Sequence, residues 1–173
     1  LGLVLARAAG ETLAGLAASR IWGAIGAEAD ATWLTDAAGQ EAAQCCIGAV
    51  LRDWGRFGLL LARDVEWGGR QVIPRDWLLA ATTAPAGSFL APGTAGRFYG
   101  YGYQTWILPG ARRQFALLGI HGQAILVDPA ARLVLVHTAV RTRPAGDPMA
   151  GELISLWNAL VRQEGAVMQP LGR

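Results

Sequence analysis

The chain has 173 residues, of which 53% are hydrophobic and 16% are charged, and its formal net charge is +2. This composition excludes intrinsic disorder, because disordered chains combine low hydrophobicity with high net charge. The arginines are scattered singly or in pairs, so we expect no nucleic-acid partner. The longest apolar runs have the length of strands and fall far short of the roughly 20 residues that span a membrane.

The residue types that are missing restrict the chemistry. The sequence contains no lysine, and its only asparagine is Asn158. A mechanism that needs a catalytic lysine is therefore impossible within these residues. Cys45 and Cys46 are adjacent, and neighbouring cysteines pair only in strained geometry, so we expect neither a disulfide framework nor a zinc site. The sequence begins with neither Met nor a charged leader, and we expect it to be the interior of a longer polypeptide.

Helical patterns dominate the first half of the chain. Residues 1–9 predict a helix that ends at Gly10, and Thr12 can cap a second helix that extends to about Trp22. A short strand is predicted at residues 32–34.

The most regular helical pattern lies at residues 47–63. Its apolar positions recur at helical spacing: Val50, Leu51, Trp54, Phe57 and Leu61. Gly55 and Gly58 lower the helix propensity of this segment, so we expect them to permit close packing against a neighbouring element. Asp53 beside Arg56 predicts a structural ion pair or a helix cap.

Turn residues divide the region that follows. Residues 67–70, Trp-Gly-Gly-Arg, predict a tight turn between short extended pieces. Pro74 then lies in the first turn of a helix that runs to about Thr82. Residues 84–96 are rich in proline and glycine and predict a connecting loop.

After this loop the pattern changes to that of an antiparallel sheet. Four β segments are predicted, at residues 99–108, 114–119, 123–127 and 132–140. A helix from Asp147 or Pro148 to about Glu164 closes the chain, and its apolar stripe comprises Leu153, Leu156, Trp157, Leu160 and Val161. The predicted class is α+β, with helices first and then an antiparallel meander closed by a helix. A small sheet with one helix leaves a face or an edge uncovered, which indicates a missing N-terminal portion.

Three stretches together resemble one family of enzymes. They are residues 48–58, the alternating Tyr-Gly run at residues 99–103, and Gly-Ile-His-Gly-Gln at residues 119–123 with the turn and apolar strand that follow. Their order and spacing resemble serine hydrolases of the β-lactamase/transpeptidase-like fold, a family that includes class C β-lactamases and family VIII esterases. Cys45-Cys46 and residues 119–123 are most similar to the 6-aminohexanoate-dimer hydrolase branch.

The resemblance covers residues 1–165 and implies a partial fold of this type. Residues 1–83 would form part of the helical lobe, residues 84–96 the connecting loop, and residues 97–173 the C-terminal part of the α/β lobe. Residues 1–7 would correspond to the helix just beyond the family's Tyr-x-Asn motif.

The resemblance also implies which motifs are absent and which is modified. Family members carry a Ser-x-x-Lys nucleophile motif and a Tyr-x-Asn motif, and neither occurs in this sequence. A third motif, Lys-Thr-Gly or a substitute, corresponds to Leu117-Leu118-Gly119. Leu117 in place of the lysine is typical of the esterase and amide-hydrolase branches and argues against penicillin-type substrates.

By the same resemblance, the backbone N–H of Ile120 is one donor of an oxyanion hole. The other donor, the N–H of the nucleophile, lies outside these residues. Gly119 would let a substrate approach the strand, and the alternative is an ordinary strand bend. His121 is a candidate substrate contact, although a lone histidine is more often structural.

Three tyrosines, Tyr99, Tyr101 and Tyr103, alternate with glycines and are expected to share one strand face. Tyr101 is the candidate substrate contact among them, and the alternative is sheet packing. The loop at residues 40–46 would border the cleft. No metal and no organic cofactor is implied, because the family's chemistry uses side chains and water.

The resulting hypothesis is the C-terminal fragment of a serine hydrolase that cleaves small esters or linear amides through an acyl-enzyme and is inactive by itself. Its partners would be a small-molecule substrate and the missing N-terminal part of the same fold. Two alternatives remain: a noncatalytic binding module of this fold, and a fragment of a β-lactamase or penicillin-binding enzyme.

Overall fold

The computed structural model describes residues 1–85, 87–94, 97–141 and 151–167. The predicted beginning of the last helix, at Asp147 or Pro148, lies outside these residues. The chain divides into two compact units, Leu1–Phe57 and Gly58–Arg173.

Two helices open the first unit, and local chemistry sets their ends. Helix α1 (Gly2–Ala9) closes at Gly10, whose φ of 70° lies in the left-handed region that favours glycine. Helix α2 (Leu13–Ala17) begins after Thr12, whose hydroxyl oxygen accepts a hydrogen bond from the amide of Gly15 at 3.0 Å. A π-helical turn (Ala18–Trp22) continues it. Both predicted helices are confirmed.

A two-stranded hairpin follows in the same unit. Strands β1 (Thr32–Trp33) and β2 (Ile47–Gly48) are antiparallel, with Trp33 opposite Ile47. The predicted strand at residues 32–34 is confirmed. The helix predicted from Ile47 begins only at Leu51, as α3 (Leu51–Ala62). The beginning predicted for it was wrong because pairing with β1 overrides the helical pattern at Ile47 and Gly48.

Helix α3 crosses the boundary between the units, and its second half packs closely against the sheet of the second unit. A Cβ added at Gly58 would overlap Cγ1 of Val134 and lie 3.2 Å from Cγ2 of Ile125. A Cβ added at Gly55 would meet no atom of the described residues within 4 Å. The expectation of close packing is therefore confirmed for Gly58 and wrong for Gly55.

The predicted tight turn and the helix after it are also confirmed. Strands β3 (Glu66–Trp67) and β4 (Arg70–Gln71) pair through a two-residue turn in which Gly68 and Gly69 have φ values of 58° and 74°. Two positive φ angles are the requirement of a type I′ hairpin, which glycine satisfies without steric cost. Helix α4 (Arg75–Thr82) then begins directly after Pro74.

The second unit is built on a five-stranded antiparallel sheet whose strands follow one another in chain order. These strands are β5 (Gly100–Tyr101), β6 (Trp106–Ile107), β7 (Phe115–Leu118), β8 (Ala124–Asp128) and β9 (Leu133–His137). The meander is as predicted, with one correction. Residues 99–108 form two short strands joined by a turn rather than one segment, and Gln104 in that turn has a φ of 58°.

Helix α5 (Gly151–Val167) covers one face of this sheet. The buried cluster between them comprises Leu108, Ala116, Ala124, Leu126, Leu153 and Trp157. Leu156 is 50% exposed, so its place in the predicted apolar stripe was wrong. The opposite face contacts Gly58 of α3 through Ile125 and Val134, so the expectation of an uncovered face is wrong for β8 and β9.

The arrangement of helices around an antiparallel sheet confirms the α+β class. Helix α4 packs on the β5–β6 hairpin, where a Cβ added at Gly102 would overlap the carbonyl of Ala81. The boundary between the two units lies inside α3, and the connecting loop at residues 84–96 stays a prediction. The assignment of residues 1–83 and 97–173 to two lobes of a larger fold stays a prediction. Within the described ranges, no helix is both long and apolar enough to cross a membrane.

Candidate functional site

The candidate residues Gly119, Ile120 and His121, which follow Leu117 and Leu118 of the third motif, lie in the tight turn between β7 and β8. The amide of Gly119 donates to the carbonyl of Gln123 at 2.8 Å, and the amide of Gly122 donates to the carbonyl of Gly119 at 3.1 Å. Gly122 has a φ of 92°, which a residue with a side chain rarely adopts. Ile120 and His121 thus lie at the tip of a turn that its own backbone closes.

The amide of Ile120 is the donor that this turn leaves available. Its neighbours Gly119, His121 and Gly122 all donate hydrogen bonds within the turn. No acceptor for the N–H of Ile120 occurs among the described residues. The Ile120 residue is 64% exposed. An unpaired N–H at an exposed position is accessible to an acceptor from outside the chain.

Gly119 lies directly beneath the side chain of Gln123. A Cβ at this position would overlap Oε1 of Gln123. The same oxygen accepts a hydrogen bond from the amide of His121 at 3.2 Å. The amide side chain of Gln123 therefore folds back over Gly119 and holds the tip of the turn. A close approach of substrate to Gly119 stays a prediction.

The imidazole rings of His121 and His137 connect the turn to the end of β9 and to the segment that follows it. Nδ1–H of His121 donates to the carbonyl of Arg141 at 2.8 Å, and the amide of Arg141 donates to the carbonyl of His121 at 3.0 Å. Nδ1–H of His137 donates to the carbonyl of Gly122 at 2.9 Å. A carbonyl oxygen only accepts, so each ring carries a proton on Nδ1. Both histidines thus have a structural partner.

Leu117 occupies the position that the resemblance assigns to a motif lysine. It lies in β7, is half-buried and pairs with Ile125 of β8. Its side chain carries no charge, so it cannot provide the cationic contact of a Lys-Thr-Gly motif.

The structure does not group Tyr101 with the Ile120 turn. Tyr101 pairs with Trp106, which in turn pairs with Ala116 of β7. Two inter-strand spacings, about 10 Å in total, therefore separate it from β7. Its ring centroid lies 5.1 Å from that of Trp106, and its hydroxyl donates to Oε1 of Gln104 at 3.2 Å.

The expected common face of the three tyrosines is wrong. Tyr103 lies in the β5–β6 turn, where it stacks on Trp77 with ring centroids 4.8 Å apart. The positive φ of Gln104 reverses the chain at this point and ends the strand alternation after Tyr101. Tyr99 makes edge contacts with the rings of Phe98 and Trp106.

The first unit contains an open groove of its own, with a volume of about 450 Å³. It is lined by Thr32, Trp33, Leu34, Cys46, Ile47 and Gly48. A disulfide bond joins Cys45 and Cys46. The sequence does not predict this bond, because adjacency is unfavourable for pairing.

Asp53 has a structural role, because its carboxylate is occupied by hydrogen bonds and is not available for catalysis. It is fully buried, accepts hydrogen bonds from the amides of Glu28 and Ala29 at 2.9 and 3.2 Å, and pairs with Arg56 at 2.6 Å. Burial by itself raises the pKa of Asp53, but these hydrogen bonds and the charge of Arg56 outweigh it and hold the pKa below its ordinary value. The predicted ion pair is confirmed.

The described part of the chain contains no preformed set of metal ligands. No group of three or more His, Cys, Asp or Glu side chains converges there in a way that could hold an ion.

Comparison with known proteins shows similarity at the level of solved structures. No family model matches the chain, and no curated protein matches it. Among solved structures, it is similar to a protein from Bacillus anthracis titled "Putative 6-aminohexanoate-dimer hydrolase", with a TM-score of 0.81 and 27% sequence identity. The similarity covers 99% of this chain and 42% of the Bacillus anthracis protein.

In its fold, this chain is thus similar to one part of a hydrolase. It spans about two fifths of that protein's length, since 42% of the longer chain is covered. The resemblance predicted from the three sequence stretches is confirmed at this level. The roles of Ile120, Gly119, His121 and Tyr101 stay predictions.

The contacts that hold the Ile120 turn were missing from the sequence interpretation. Gln123, His137 and Arg141 brace it, yet Arg141 is 20 residues from His121 and His137 is 15 residues from Gly122. Contacts over such separations leave no local pattern.

Proposed function

We propose that this chain provides the C-terminal part of a serine hydrolase that cleaves small esters or linear amides through an acyl-enzyme. The main support is the match of nearly the whole chain, 99% of it, to part of a protein titled as a 6-aminohexanoate-dimer hydrolase. The available amide of Ile120 at an exposed, braced turn is compatible with the chemistry that this proposal requires.

The proposed role of Ile120 is to stabilise charge in the transition state. A serine from the complementary part of the fold attacks the substrate carbonyl carbon, and the carbonyl oxygen gains a negative charge. The Ile120 N–H donates to this oxygen, and the serine's own N–H supplies the second donor. The intermediate then expels the alcohol or amine, and water hydrolyses the acyl-enzyme. Loss of one such donor lowers turnover by about 10²–10³.

The rigidity of the turn supports this role. An oxyanion donor contributes most when it is already oriented before the reaction, since no reorganisation is then required. The hydrogen bonds of Gly119 with Gln123 and of His121 with Arg141 restrain the backbone on both sides of Ile120. His121 therefore acts as a positioning residue in this proposal.

Leu117 argues against penicillin-type substrates. A lysine at this position would provide a cationic contact, as in enzymes that act on penicillins. The aliphatic side chain of Leu117 offers only an apolar contact. Small esters and linear amides are therefore the proposed substrates.

Helix α1 supports the need for a complementary part of the fold. None of its residues is buried, and Leu3, Val4 and Leu5 are 55%, 68% and 52% exposed. A largely apolar helix is normally covered by other elements. We propose that the part of the hydrolase fold without a counterpart here covers α1, with residues 1–83 and 97–173 belonging to its two lobes.

The coding sequence upstream of Leu1 provides the first test. The proposal requires Ser-x-x-Lys and Tyr-x-Asn motifs in frame before Leu1. Residues 1–173 alone should then show no saturable hydrolysis of a chromogenic ester, whereas the complete protein should hydrolyse it faster than a chromogenic cephalosporin. Saturable turnover by residues 1–173 alone, or a preference for the cephalosporin, would refute the proposal.

A noncatalytic binding module of the same fold is the second candidate. The complete absence of lysine from the sequence favours it, because the family's nucleophile motif cannot form within these residues. An in-frame start codon directly before Leu1, without the two motifs upstream, would decide for this candidate.

A further inference from the structure

The disulfide bond between Cys45 and Cys46 lies at the surface of the first unit, apart from the chemistry proposed for Ile120. Both cysteines are exposed. Exposed disulfides exchange with small thiols more readily than buried ones, because the attacking thiolate can reach the sulfur atoms. This pair is therefore accessible to a soluble reductant or oxidant.

The backbone at this pair is fastened to Trp33 and Leu34. The indole N–H of Trp33 lies 2.9 Å from the carbonyl oxygen of Cys45 and 3.1 Å from that of Ala42, and donates to both. The amide of Leu34 donates to the carbonyl of Cys46 at 3.1 Å. The carbonyl of Cys45 therefore helps to hold the Trp33 ring, and the carbonyl of Cys46 holds the backbone of Leu34.

The backbone of Cys46 has an unusual conformation. Its φ of 78° lies in the left-handed region, which is unfavourable for a residue with a Cβ atom. A bond between adjacent cysteines closes a small ring that restrains both backbones. We expect that reduction of the bond lets Cys46 adopt a negative φ, which would turn its carbonyl away from the amide of Leu34.

This change would alter the groove of the first unit. Cys46, Trp33 and Leu34 all line the open groove of about 450 Å³. The hydrogen bonds to the cysteine carbonyls thus hold Trp33 and Leu34, which are two of the residues that line the groove.

We propose that Cys45 and Cys46 form a reversible dithiol–disulfide site that sets the shape of this groove. In the oxidising direction, the two thiols lose two protons and two electrons and form the S–S bond, while one molecule of a small disulfide such as glutathione disulfide is reduced to two thiols. In the reducing direction, a small dithiol attacks the bond, leaves as a cyclic disulfide and transfers its two protons to Cys45 and Cys46.

The redox state is measured by equilibrating the protein in buffers of varied glutathione to glutathione-disulfide ratio. After an acid quench and reaction with N-ethylmaleimide, intact-mass spectrometry counts the thiols. The proposal predicts a transition between a form with two maleimide adducts and a form with none. Two adducts at every ratio, a bound glutathione, or a disulfide-linked dimer in place of the unlabelled form would overturn it.

The effect on the groove is measured by the near-ultraviolet circular dichroism of the oxidised and reduced protein. We expect a difference spectrum that the Trp33→Phe variant largely loses and that the matched variant Trp67→Phe retains. The double variant Cys45→Ser/Cys46→Ser should resemble the reduced protein and not respond to redox buffer. Identical spectra of the oxidised and reduced protein, or a difference that Trp33→Phe leaves unchanged, would contradict control of the groove.

Discussion

His121 and Arg141 are joined by two hydrogen bonds that run in opposite directions. Nδ1–H of His121 donates to the carbonyl of Arg141 at 2.8 Å, and the amide of Arg141 donates to the carbonyl of His121 at 3.0 Å. The pair fastens the tip of the β7–β8 turn to the segment after β9. The peptide that carries the Ile120 N–H is held by the hydrogen bond from Gly122 to the carbonyl of Gly119, and we propose that the His121–Arg141 pair keeps the rest of the turn in place around it.

Replacement of His121 by alanine should therefore lower kcat of the complete protein more than it changes KM. The variant loses the ring's hydrogen bond to Arg141, and the Ile120 amide becomes less well oriented in the transition state. We expect a decrease of about tenfold, a fraction of what a whole oxyanion donor contributes. Steady-state ester hydrolysis gives both constants.

A direct substrate contact by His121 predicts a different result. KM would then rise while kcat stayed nearly constant, because binding of substrate and transition state would weaken together. The His137→Ala variant is the matched control, since it removes the other ring that braces this turn, through the carbonyl of Gly122. Similar kcat losses in both variants would support the positioning role.

The contact of α3 with the sheet predicts opposite effects for two glycines of one helix. Gly58→Ala should destabilise the protein by about 1–3 kcal/mol, because the added methyl group would overlap Val134 in a packed interface. Gly55→Ala should stabilise it by up to about 1 kcal/mol, since alanine has the higher helix propensity and nothing lies within 4 Å. Urea unfolding measures both changes. Equal stabilisation by the two substitutions would show that α3 does not approach the sheet at Gly58.

Asp53 predicts a loss of stability in acid. Its pKa is lowered in the folded protein, although burial opposes this, through hydrogen bonds from the amides of Glu28 and Ala29 and from Arg56. The unfolded pKa is about 3.9, so the stabilisation is complete above this pH and disappears as the pH falls through the lower folded-state pKa. The urea midpoint of the natural protein should exceed that of Asp53→Asn at pH 6, and this difference in midpoint should become smaller as the pH falls to 2.

The control for this experiment is Asp30→Asn. Asp30 is exposed and belongs to the same unit, and its substitution should leave the pH profile of the natural protein unchanged. A difference in urea midpoint between the natural protein and Asp53→Asn that stays constant down to pH 2 would contradict a lowered pKa of Asp53.

Local chemistry accounts for the parts of the fold that the sequence predicted well. Gly10 ends α1 because it adopts a positive φ, Thr12 caps α2 through its own hydroxyl, and Pro74 precedes α4 because its φ suits a helix start. Each of these features depends on residues within four positions of one another. The meander was predicted for the same reason, since strand alternation is a local pattern.

Tertiary contacts account for the features that the sequence did not reveal. Ile47 pairs with Trp33 across a loop, and α3 therefore begins four residues later than predicted. Leu156 has the spacing of a buried residue, yet it is half exposed in the folded chain. Of the candidate site, the role of Ile120 stays a prediction from the resemblance, whereas the braces at Gln123 and Arg141 depend on the folded turn.

The exposed surface of α1 predicts association. Burial of a valine side chain contributes about 1.5–3 kcal/mol, so Val4→Glu should weaken self-association of residues 1–173, or their binding to the complementary part, by about tenfold or more. Ala18→Glu adds the same charge at another exposed helical position and should have little effect. Light scattering over a concentration series measures the association. A stable monomer at all concentrations that also fails to bind the complementary part would contradict a covered α1.

The Ile120 amide is tested most directly by removing its hydrogen. In the complete protein, Ile120→Pro eliminates the N–H, while Ile120→Ala keeps it and measures the contribution of the side chain. Circular dichroism and urea unfolding establish that both variants fold, and kcat is then measured with a chromogenic ester. The proposed oxyanion role predicts a kcat for Ile120→Pro about 10²–10³ lower than that of Ile120→Ala, whereas equal kcat values in two folded variants would contradict it.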